Sequence, residues 1–441
     1  MSYIVGHPIK HPADFYGRYE QIARFYEIIG GTQAQSVTIR GVRRAGKTSF
    51  LQYIANKEVM AKYLSRPEQY AMIYVDISSC KTPTDFYQRL LRRMQSVLGE
   101  STSVNLWKGS ADGITTMYDV EAYLCQFPDR RIILLLDEFD QMRTDTFTQD
   151  FLTELRAMTS VLDYDLACVT ASYWDLYYLG NKVGLPPTSP FYNIFYPSPL
   201  FLPGLEDNEI ETLIRSPIEK TSVLLLPEEI DQIRQISGTL PFFVQATAAQ
   251  WYRRKRAKKE VKPRLILRQL AADLSPYFDQ WWRYLDGTQQ KLLYSLSHKE
   301  LMDKLPYGSV ELSEAIRHLQ NYGLLRKEQG KLVINGAIFM AWIRQYARLN
   351  VAEAEAVVEN GSQSVRRTNG FPDLGKLRHT LMNHFDLEEM QNLCFDMGMD
   401  YELLPGRGKG SKARSMIEYW RKRQDLDALI EAIRRERGAI V

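Results

Sequence analysis

One eight-residue segment constrains the fold of this chain more than any other. It reads Gly41-Val-Arg-Arg-Ala-Gly46-Lys47-Thr48, follows the β-rich stretch Ser-Val-Thr-Ile-Arg and precedes the helix-compatible stretch Ser-Phe-Leu-Gln-Tyr-Ile-Ala. A glycine-rich turn that joins a strand to a helix presents backbone N–H groups at the helix N-terminus, where the helix dipole favours anions. The pattern GxxxxGK[ST] in this context predicts a loop that binds nucleotide phosphates.

The residue types in the loop indicate their roles. We expect Lys47 to reach the β and γ phosphates of ATP, with a catalytic role, and the Thr48 hydroxyl to bind Mg²⁺. Four further loop positions and the residue after the motif are predicted to contact the nucleotide: Gly41, Arg44, Ala45, Gly46 and Ser49.

A second segment carries two carboxylates at the end of an apolar run. It reads Ile132-Ile-Leu-Leu-Leu-Asp137-Glu138. A buried strand beside the phosphate loop would place Asp137 near magnesium through its waters and Glu138 near the attacking water, as general base. The pair predicts ATP hydrolysis, which we expect to be slow, and Asp140 is expected to cap the following helix.

Short β-rich runs alternate with helix-compatible stretches along the first two hundred residues. Such alternation favours a parallel α/β sheet with helical crossovers. The predicted strands are Ser36–Gly41, Ala71–Ile77, Ile132–Asp137 and Leu166–Ala171, and two of the predicted helices are Thr48–Leu64 and Pro83–Leu98.

The pattern changes after Pro203-Gly204, and the change predicts further domains. We expect an ATPase core at 1–203, a helical lid at 204–274, a winged-helix domain at 275–348, a linker at 349–370 and an all-α bundle at 371–441. The prediction of the winged-helix domain is based on helices followed by a hairpin with a turn at Gln329-Gly330, which is the order of elements in a winged helix.

Composition excludes several classes of protein. Apolar residues make up 45% and charged residues 25%, as in folded domains, and a net charge of +3 is too small to indicate a nucleic-acid partner by itself. The N-terminus shows no export signal, and the apolar run Ile132–Leu136 is far too short for a membrane span, so we expect a cytoplasmic protein with no membrane contact. Four scattered cysteines without a CxxC pair predict buried reduced thiols.

Several segments together resemble the AAA+ ATPases and, within them, the STAND and archaeal-type group related to NLR-like signalling ATPases and origin-recognition ATPases. The similar segments span roughly residues 10 to 346: Phe15-Tyr-Gly-Arg18-Tyr-Glu20, GVRRAGKTS, ILLLDEFD, CVTAS, SPFYNIF and SGTLPFF. The resemblance implies that Tyr16, Gly17 and Arg18 contact the nucleotide at the adenine pocket. It also implies that Ser172 or Thr170 occupies the sensor 1 position and that Pro241 packs against the nucleotide from the lid.

The C-terminal segment is similar to the effector-associated, death-like domains of bacterial conflict systems. Its matching apolar positions are Phe385, Leu393, Cys394, Phe395, Tyr401, Leu404 and Ile417. The resemblance implies contacts with a separate effector protein.

Two functions from different classes remain open at this point. In the first, a signalling switch of the antiviral defence type binds Mg-ATP, forms a homo-oligomer and recruits an effector through residues 371–441. In the second, a DNA-binding ATPase reads DNA with its winged helix. The candidate recognition helix Val310–Tyr322 carries two early glutamates, which is poor chemistry for DNA, whereas the basic run Arg253–Lys259 beside Trp251 and Tyr252 fits either nucleic acid or a solvated helix end. The signalling switch is favoured, and a remodelling chaperone ranks last.

Overall fold

The computed structural model describes residues 3–99, 114–298, 310–347, 381, 385–397, 401, 404, 409–422, 429 and 432–433. The chain divides into two compact units, Met1–Val357 and Val358–Val441. The predicted linker at 349–370 lies outside the described residues. The other predicted domain boundaries within these units stay predictions.

A parallel sheet forms the centre of the first unit. Its strands in the described part are β1 (Val37–Arg40), β2 (Tyr70–Asp76), β3 (Arg131–Asp137), β4 (Asp165–Ser172) and β5 (Leu200–Phe201). They lie in the order β2-β3-β4-β1-β5, and the paired strands are all parallel. The predicted α/β class is confirmed. The sequence prediction missed β5, which has only two residues at the sheet edge.

Helices cover both faces of this sheet. They are α1 (Tyr19–Ile29), α2 (Lys47–Ile54), α3 (Lys57–Tyr63), α4 (Pro83–Leu98), α5 (Met117–Leu124), α6 (Gln149–Met158) and α7 (Leu176–Lys182). The helix predicted over Thr48–Leu64 is two helices, so this prediction is wrong in part. The side chain of Asn56 accepts from the N–H groups of Glu58 and Val59, and this N-cap starts α3 as a new helix.

The central strand β3 shows why the sheet has two apolar faces. Successive side chains of a strand point to opposite faces. Ile133 and Leu135 therefore join the core on one face, while Ile132, Leu134 and Leu136 join the core on the other. All five are fully buried, and burial of each side chain stabilises the fold by about 1.5–3 kcal/mol. This run fixes the position of the carboxylates that follow it.

The rest of the first unit is mainly helical. Its elements are α8 (Asp207–Arg215), α9 (Pro227–Ser237), α10 (Pro241–Arg256), α11 (Pro263–Asp273), α12 (Ser275–Tyr284), α13 (Gly287–Ser297), α14 (Val310–Asn321), β6 (Leu325–Glu328), β7 (Lys331–Ile334) and α15 (Ala337–Tyr346). β6 and β7 form an antiparallel hairpin. The order of helices and hairpin follows the prediction, and its classification as a winged helix stays a prediction.

Backbone contacts join the sheet to these later helices through a short connection. The N–H of Leu202 donates to the carbonyl of Arg40 at 2.8 Å, and the N–H of Leu205 donates to the carbonyl of Thr239 at 2.8 Å. The buried amide of Asn335 accepts from the Thr239 N–H at 3.0 Å and donates to the Thr239 hydroxyl at 2.8 Å and the Gly323 carbonyl at 2.6 Å. Asn335 therefore ties the start of α10 to the hairpin region.

The second unit contains α16 (Leu387–Asp396) and α17 (Lys409–Lys422) among its described residues. Its core comprises Leu381, Phe385, Met390, Leu393, Cys394, Tyr401, Leu404, Ala413, Met416, Ile417, Trp420, Leu429 and Ile433. The helix α17 begins at Lys409. The burial of Phe395 lies outside what the structure describes.

Two findings concern membranes and cysteines. Within the described ranges, no helix combines the length and apolar character that a bilayer span requires. Cys80, Cys168 and Cys394 are buried and free, but Cys125 is exposed. The prediction of buried thiols is therefore wrong for Cys125, which lies just after the end of α5.

Candidate functional site

The phosphate loop connects β1 to α2, as its sequence predicts. Arg44 and Gly46 have positive φ angles of 72° and 95°. Gly46 is the N-cap of α2, and no side chain caps this helix. The first N–H groups of an α-helix have no partner within the helix, so the start of α2 has the character of an anion site.

A cavity of about 290 Å³ lies over this loop. Its lining includes these predicted contact residues: Tyr16, Arg18, Arg44, Ala45, Gly46, Lys47, Thr48, Ser49, Glu138 and Pro241. The structure thus brings together residues from the N-terminal segment, the phosphate loop, the end of β3 and the start of α10. Five predicted residues do not line the cavity: Gly17, Gly41, Asp137, Thr170 and Ser172.

Lys47 is buried at the base of the loop. Its Nζ donates to the carbonyls of Gly41 at 3.0 Å and Val42 at 3.4 Å. Burial of an ammonium group is costly without a strong partner. Phosphate oxygens would provide that partner, so the position of Lys47 fits a phosphate-binding lysine, and Gly41 contributes its carbonyl rather than a cavity wall.

The two carboxylates after β3 have different surroundings. Asp137 is 1% exposed, and its oxygens accept from the Tyr74 hydroxyl at 2.8 Å and the Glu138 N–H at 3.0 Å. Glu138 has a φ of 50° and lines the cavity. Burial raises the pKa of Glu138, with the Lys47 ammonium acting in the opposite direction. A carboxylate with a raised pKa beside a phosphate site can accept a proton from water.

Asp140 does not cap the following helix, so this prediction is wrong. Its Oδ2 accepts from the N–H of Tyr173 at 3.0 Å, and α6 is capped by Thr148 instead. The short 3-10 turn that contains Asp140 places its side chain against the end of β4 rather than near α6.

Arg18 is a buried cation that lines the cavity. One guanidinium nitrogen, Nη2, donates to the Ala45 carbonyl at 3.1 Å, while Nη1 has no hydrogen-bond partner among the described residues. Burial lowers the pKa of Arg18 to about 10, and Glu209 acts in the opposite direction. A buried N–H without a partner is costly, so Nη1 is available to an anionic or carbonyl group of a ligand.

Gly17 supports this arrangement from outside the cavity. Its φ is 78°, and a Cβ at this position would lie 2.9 Å from Cβ of Glu209. The Glu209 carboxylate accepts from the N–H groups of Tyr19 and Glu206. Only glycine fits this contact without displacement, so Gly17 positions Arg18 and is not itself part of the wall.

Sequence reasoning missed much of the cavity wall. The residues it missed are Ile4, Gly6, His7, Pro8, Ile9, Asp14, Phe15, Arg43, Leu213, Phe242 and Gln245. The N-terminal segment is held by a hydrogen bond from the Ile9 N–H to the Ser49 hydroxyl at 3.1 Å. This segment has no motif, but Phe15, Arg43 and Phe242 lie inside the family-like segments of the sequence and could have been included.

Ser172 and Thr170 are both fully buried at the end of β4. The Ser172 hydroxyl donates to the Trp174 carbonyl at 2.7 Å, and the Thr170 hydroxyl has no partner within the described part of the chain. Neither lines the cavity. A nucleotide contact by either residue stays a prediction.

The phosphate loop also contacts α12, more than two hundred residues further along the chain. Arg44 donates to the Tyr277 hydroxyl at 2.7 Å, and its guanidinium carbon lies 4.8 Å from the ring centres of both Phe242 and Tyr277. Arg43 donates to the side chain of Gln280 at 3.2 Å and accepts, through its carbonyl, from the Trp281 indole at 3.2 Å. One helix therefore holds the two middle residues of the loop.

The end of β4 contacts the same later helices. The Tyr322 hydroxyl donates to the Tyr173 carbonyl at 2.6 Å, and the Tyr173 ring lies 4.8 Å from that of Tyr284 at the end of α12. The segments that follow β1 and β4 thus contact α12, and the segment after β4 also contacts the residue after α14. Both segments lie at the C-terminal edge of the sheet, where α/β sheets bind ligands.

Comparison with known proteins identifies the family. Residues 26–257, more than half of the chain, match the family described as Novel STAND NTPase 2, and residues 377–438 match Effector-associated domain 7. Comparison with curated proteins gives no match.

Several solved structures are similar to the chain. A Walker-type ATPase of Pyrococcus abyssi has a TM-score of 0.51 and 13% identity, over 77% of this chain and 99% of that one. The ORC1 protein of Aeropyrum pernix in complex with DNA has a TM-score of 0.41 and 16% identity, over 75% and 94%. The RuvB Holliday junction branch migration motor of Thermotoga maritima has a TM-score of 0.37 and 12% identity, over 74% and 96%.

At 13% identity the Pyrococcus abyssi structure supports the fold alone. The family match and the cavity over the phosphate loop agree with each other, and the predicted STAND resemblance is confirmed. The chain therefore belongs to the Novel STAND NTPase 2 family and carries an effector-associated domain in its C-terminal unit.

Proposed function

We propose that this protein is an ATP-dependent signalling switch of the kind that acts in bacterial antiviral defence. It binds Mg-ATP in the cavity over the phosphate loop, assembles into a homo-oligomer and recruits a separate effector protein through residues 371–441. Two supports are the NTPase family match and the effector-associated match on one chain.

The contact between the phosphate loop and α12 carries this proposal. Arg44 has a positive φ angle and is held by Tyr277 and Phe242. Phosphates bound at the loop would meet a backbone whose conformation α12 also stabilises. A ligand shifts the equilibrium between two conformations of a protein only if it binds them with different affinities. Here the two conformations would be the loop held by α12 and the loop released from it, and their affinities for ATP can differ.

Assembly would convert nucleotide binding into an output. Weak contacts between effector-associated domains become effective when several are held together, because linkage raises their effective concentration. Monomers would not sustain the same contacts. An ATP-bound oligomer would therefore recruit an effector, and hydrolysis would reset the protein.

Four residues would perform hydrolysis. Thr48 and Asp137 offer the oxygen ligands that magnesium prefers, and the Tyr74 hydroxyl holds one carboxylate oxygen of Asp137 in place. Magnesium would neutralise phosphate charge. Lys47 would donate to phosphate oxygens, and Glu138 would accept the proton of the attacking water. Because burial raises the pKa of Glu138, this base would become active at a higher pH than an exposed carboxylate would.

The alternative, a DNA reader that uses α14, finds less support. Glu311 and Glu314 are both exposed on this helix. Arg317, the exposed cation of the same helix, lies 4.0 Å from Glu314. Exposed carboxylates repel phosphates and cannot pair with the acceptor-rich edge of guanine. We therefore rank the switch first.

The solution mass tests the proposal. The protomer has a mass of 51.2 kDa, and we expect this mass with ADP and a multiple of it with a non-hydrolysable ATP analogue. The control is Lys47→Ala, which should remain a monomer with either nucleotide. A monomer in both nucleotide states, with measured nucleotide binding, would disprove the switch. Assembly that requires added duplex DNA would instead favour the alternative.

A further inference from the structure

We infer that the corner between α10 and α11 binds the phosphate backbone of a double-stranded nucleic acid. The surface, called here the α10–α11 basic corner, spans residues 253–268. It contains nine lysines and arginines and one glutamate, a formal charge of +8 in a chain whose total is +3. The rest of the chain is therefore net acidic, and the positive charge is concentrated at this corner.

Most of these cations are free of ion pairs. Lys255 is paired with Glu229, and Lys262 is paired with Glu260. Within the described residues, no ion pair involves the other seven, which are Arg253, Arg254, Arg256, Lys258, Lys259, Arg264 and Arg268. All seven are exposed except Arg254, which is half-buried. Arginine is well suited to bidentate contact with phosphate oxygens.

The helix dipole explains only part of this charge. Cations are favourable in the last turn of α10, where the dipole is negative. At α11 the sign is reversed, because Lys262 is its N-cap and Arg264 lies in its first turn, which has no acidic residue. The cations at this end are repelled by the partial positive charge of the helix N-terminus. An external anion would balance this arrangement.

The turn itself is ordered and keeps lysine in a strained position. Lys258 has a φ of 54°, its N–H donates to the Lys255 carbonyl, and the Lys259 N–H donates to the Arg254 carbonyl. This is the pattern of a helix C-terminus in which glycine is usual at the left-handed position. A lysine at that position costs backbone energy, which is common at functional sites.

The aromatic residues beside the corner indicate which nucleic acid would bind. Trp251 and Tyr252 are 1% and 7% exposed, so neither offers a ring on which an unpaired base could stack. Proteins that bind single strands rely on such exposed rings. On α11 the exposed Arg264 and Arg268 lie opposite the buried Ile266 and Leu270. The corner therefore suits the backbone of a duplex, without reading its sequence.

This surface is separate from the nucleotide cavity, and binding to it does not depend on the proposed switch. The seven free cations do not line the cavity. Duplex binding and ATP-driven assembly can therefore be measured, and can fail, independently.

The test uses the full chain and a fluorescein-labelled duplex of about 30 base pairs, as DNA and as RNA, in anisotropy titrations over a range of salt. The test variant is Lys258→Gln, Lys259→Gln, Arg264→Gln and Arg268→Gln. Each lost phosphate contact should reduce the slope of log affinity against log salt by about 0.9. At about 0.1 M salt this corresponds to roughly eightfold in affinity for each contact.

For the test variant we expect the plot of log affinity against log salt to become less steep by at least about 1.8, and the affinity to decrease at least about 60-fold. These values correspond to two lost phosphate contacts. The matched control neutralises four exposed cations elsewhere, Arg92→Gln and Arg93→Gln on α4 with Lys327→Gln and Lys331→Gln at the hairpin. The control should bind as the natural chain does. ATP affinity of both variants reports that they are folded.

Three outcomes would overturn the inference. In the first, the test variant and the natural chain have the same duplex affinity and the same salt slope. In the second, only the control variant loses duplex binding. In the third, the protein binds phosphatidylserine vesicles but neither duplex. If duplex binding follows the expectation but the ATP analogue never drives assembly, the surface stands and the switch fails. If assembly occurs without any duplex binding, the switch stands and this inference fails.

Discussion

His318 makes the first unit sensitive to acid. It lies on α14 and stacks on Tyr322, with ring centres 4.4 Å apart, and its Nδ1 has no partner within the described residues. Burial lowers the pKa of His318 from 6.5 to about 4, and the guanidinium of Arg40 acts in the same direction. The carboxylates of Asp286 and Asp175 act in the opposite direction and raise this pKa. The unfolded chain therefore takes up this proton at a higher pH than the folded chain.

The sign and size of the effect follow from this difference in pKa. Stability contributed by neutral His318 is complete above about pH 6.5 and is lost as the pH falls towards 4. A difference of 2.5 pH units, at 1.36 kcal/mol for each unit, sets an upper limit of about 3.4 kcal/mol. Between about pH 7 and 5, the range accessible to experiment, we expect a loss of about 1 to 2 kcal/mol.

Urea unfolding of the natural chain and His318→Phe, followed by tryptophan fluorescence, measures this loss. Phenylalanine keeps the ring on Tyr322 and removes the titrating nitrogens, so the natural chain should lose about 1 to 2 kcal/mol more than the variant between about pH 7 and 5. The control His11→Phe changes an exposed histidine and should leave that difference in place. Equal pH dependence in the natural chain and His318→Phe would refute the reasoning.

Three further predictions concern the nucleotide cavity. Lys47→Ala should weaken ATP binding at least about 100-fold in calorimetry, because it removes a charged partner of the phosphates, and unchanged affinity would exclude Lys47 from the site. Glu138→Gln should keep ATP affinity and reduce turnover at least about 100-fold, and turnover in the natural chain should rise with pH through the raised pKa of Glu138. Full turnover in that variant would remove Glu138 as the base. Arg44→Ala should release the loop from Tyr277 and raise the ATP-analogue concentration at which the mass increases, because α12 then no longer stabilises the loop backbone. An unchanged threshold would show that this contact does not control assembly.

The sequence predicted the parts of the fold that local patterns determine. Short β-rich runs identified β1 to β4. The signal is clearest for β3, because a strand buried on both faces reads as a continuous apolar run. Leu200–Phe201 could not be found in this way, since two residues give no period and their pairing with β1 depends on tertiary structure. Likewise, Asn56 interrupts a helical pattern that would otherwise continue, and its capping role depends on a local backbone conformation.

The cavity residues divide in the same way into those that one local motif predicts and those that depend on contacts between distant segments. Gly46, Lys47 and Thr48 belong to one motif, and all three line the cavity because they lie on one contiguous loop. The contacts of Arg44 with Tyr277 and Phe242 join segments that are far apart in sequence, and no spacing rule connects them. The free Nη1 of Arg18 also depends on packing, which sequence spacing does not reveal, and Glu209 of α8 lies against the neighbouring Gly17.

The hydrogen bonds on either side of Pro203-Gly204 limit how the first unit can move. Leu202 is bonded to the sheet through Arg40, and Leu205 is bonded to the start of α10 through Thr239. Asn335 joins that same turn to the hairpin region. If the later helices rotate against the sheet while these bonds persist, the rotation must occur in the two residues between Leu202 and Leu205. Proline fixes one of their backbone angles, and a Cβ on Gly204 would collide with the Thr239 hydroxyl. The connection at Pro203-Gly204 is therefore short and has little backbone freedom, so it would restrict any rotation of the later helices against the sheet.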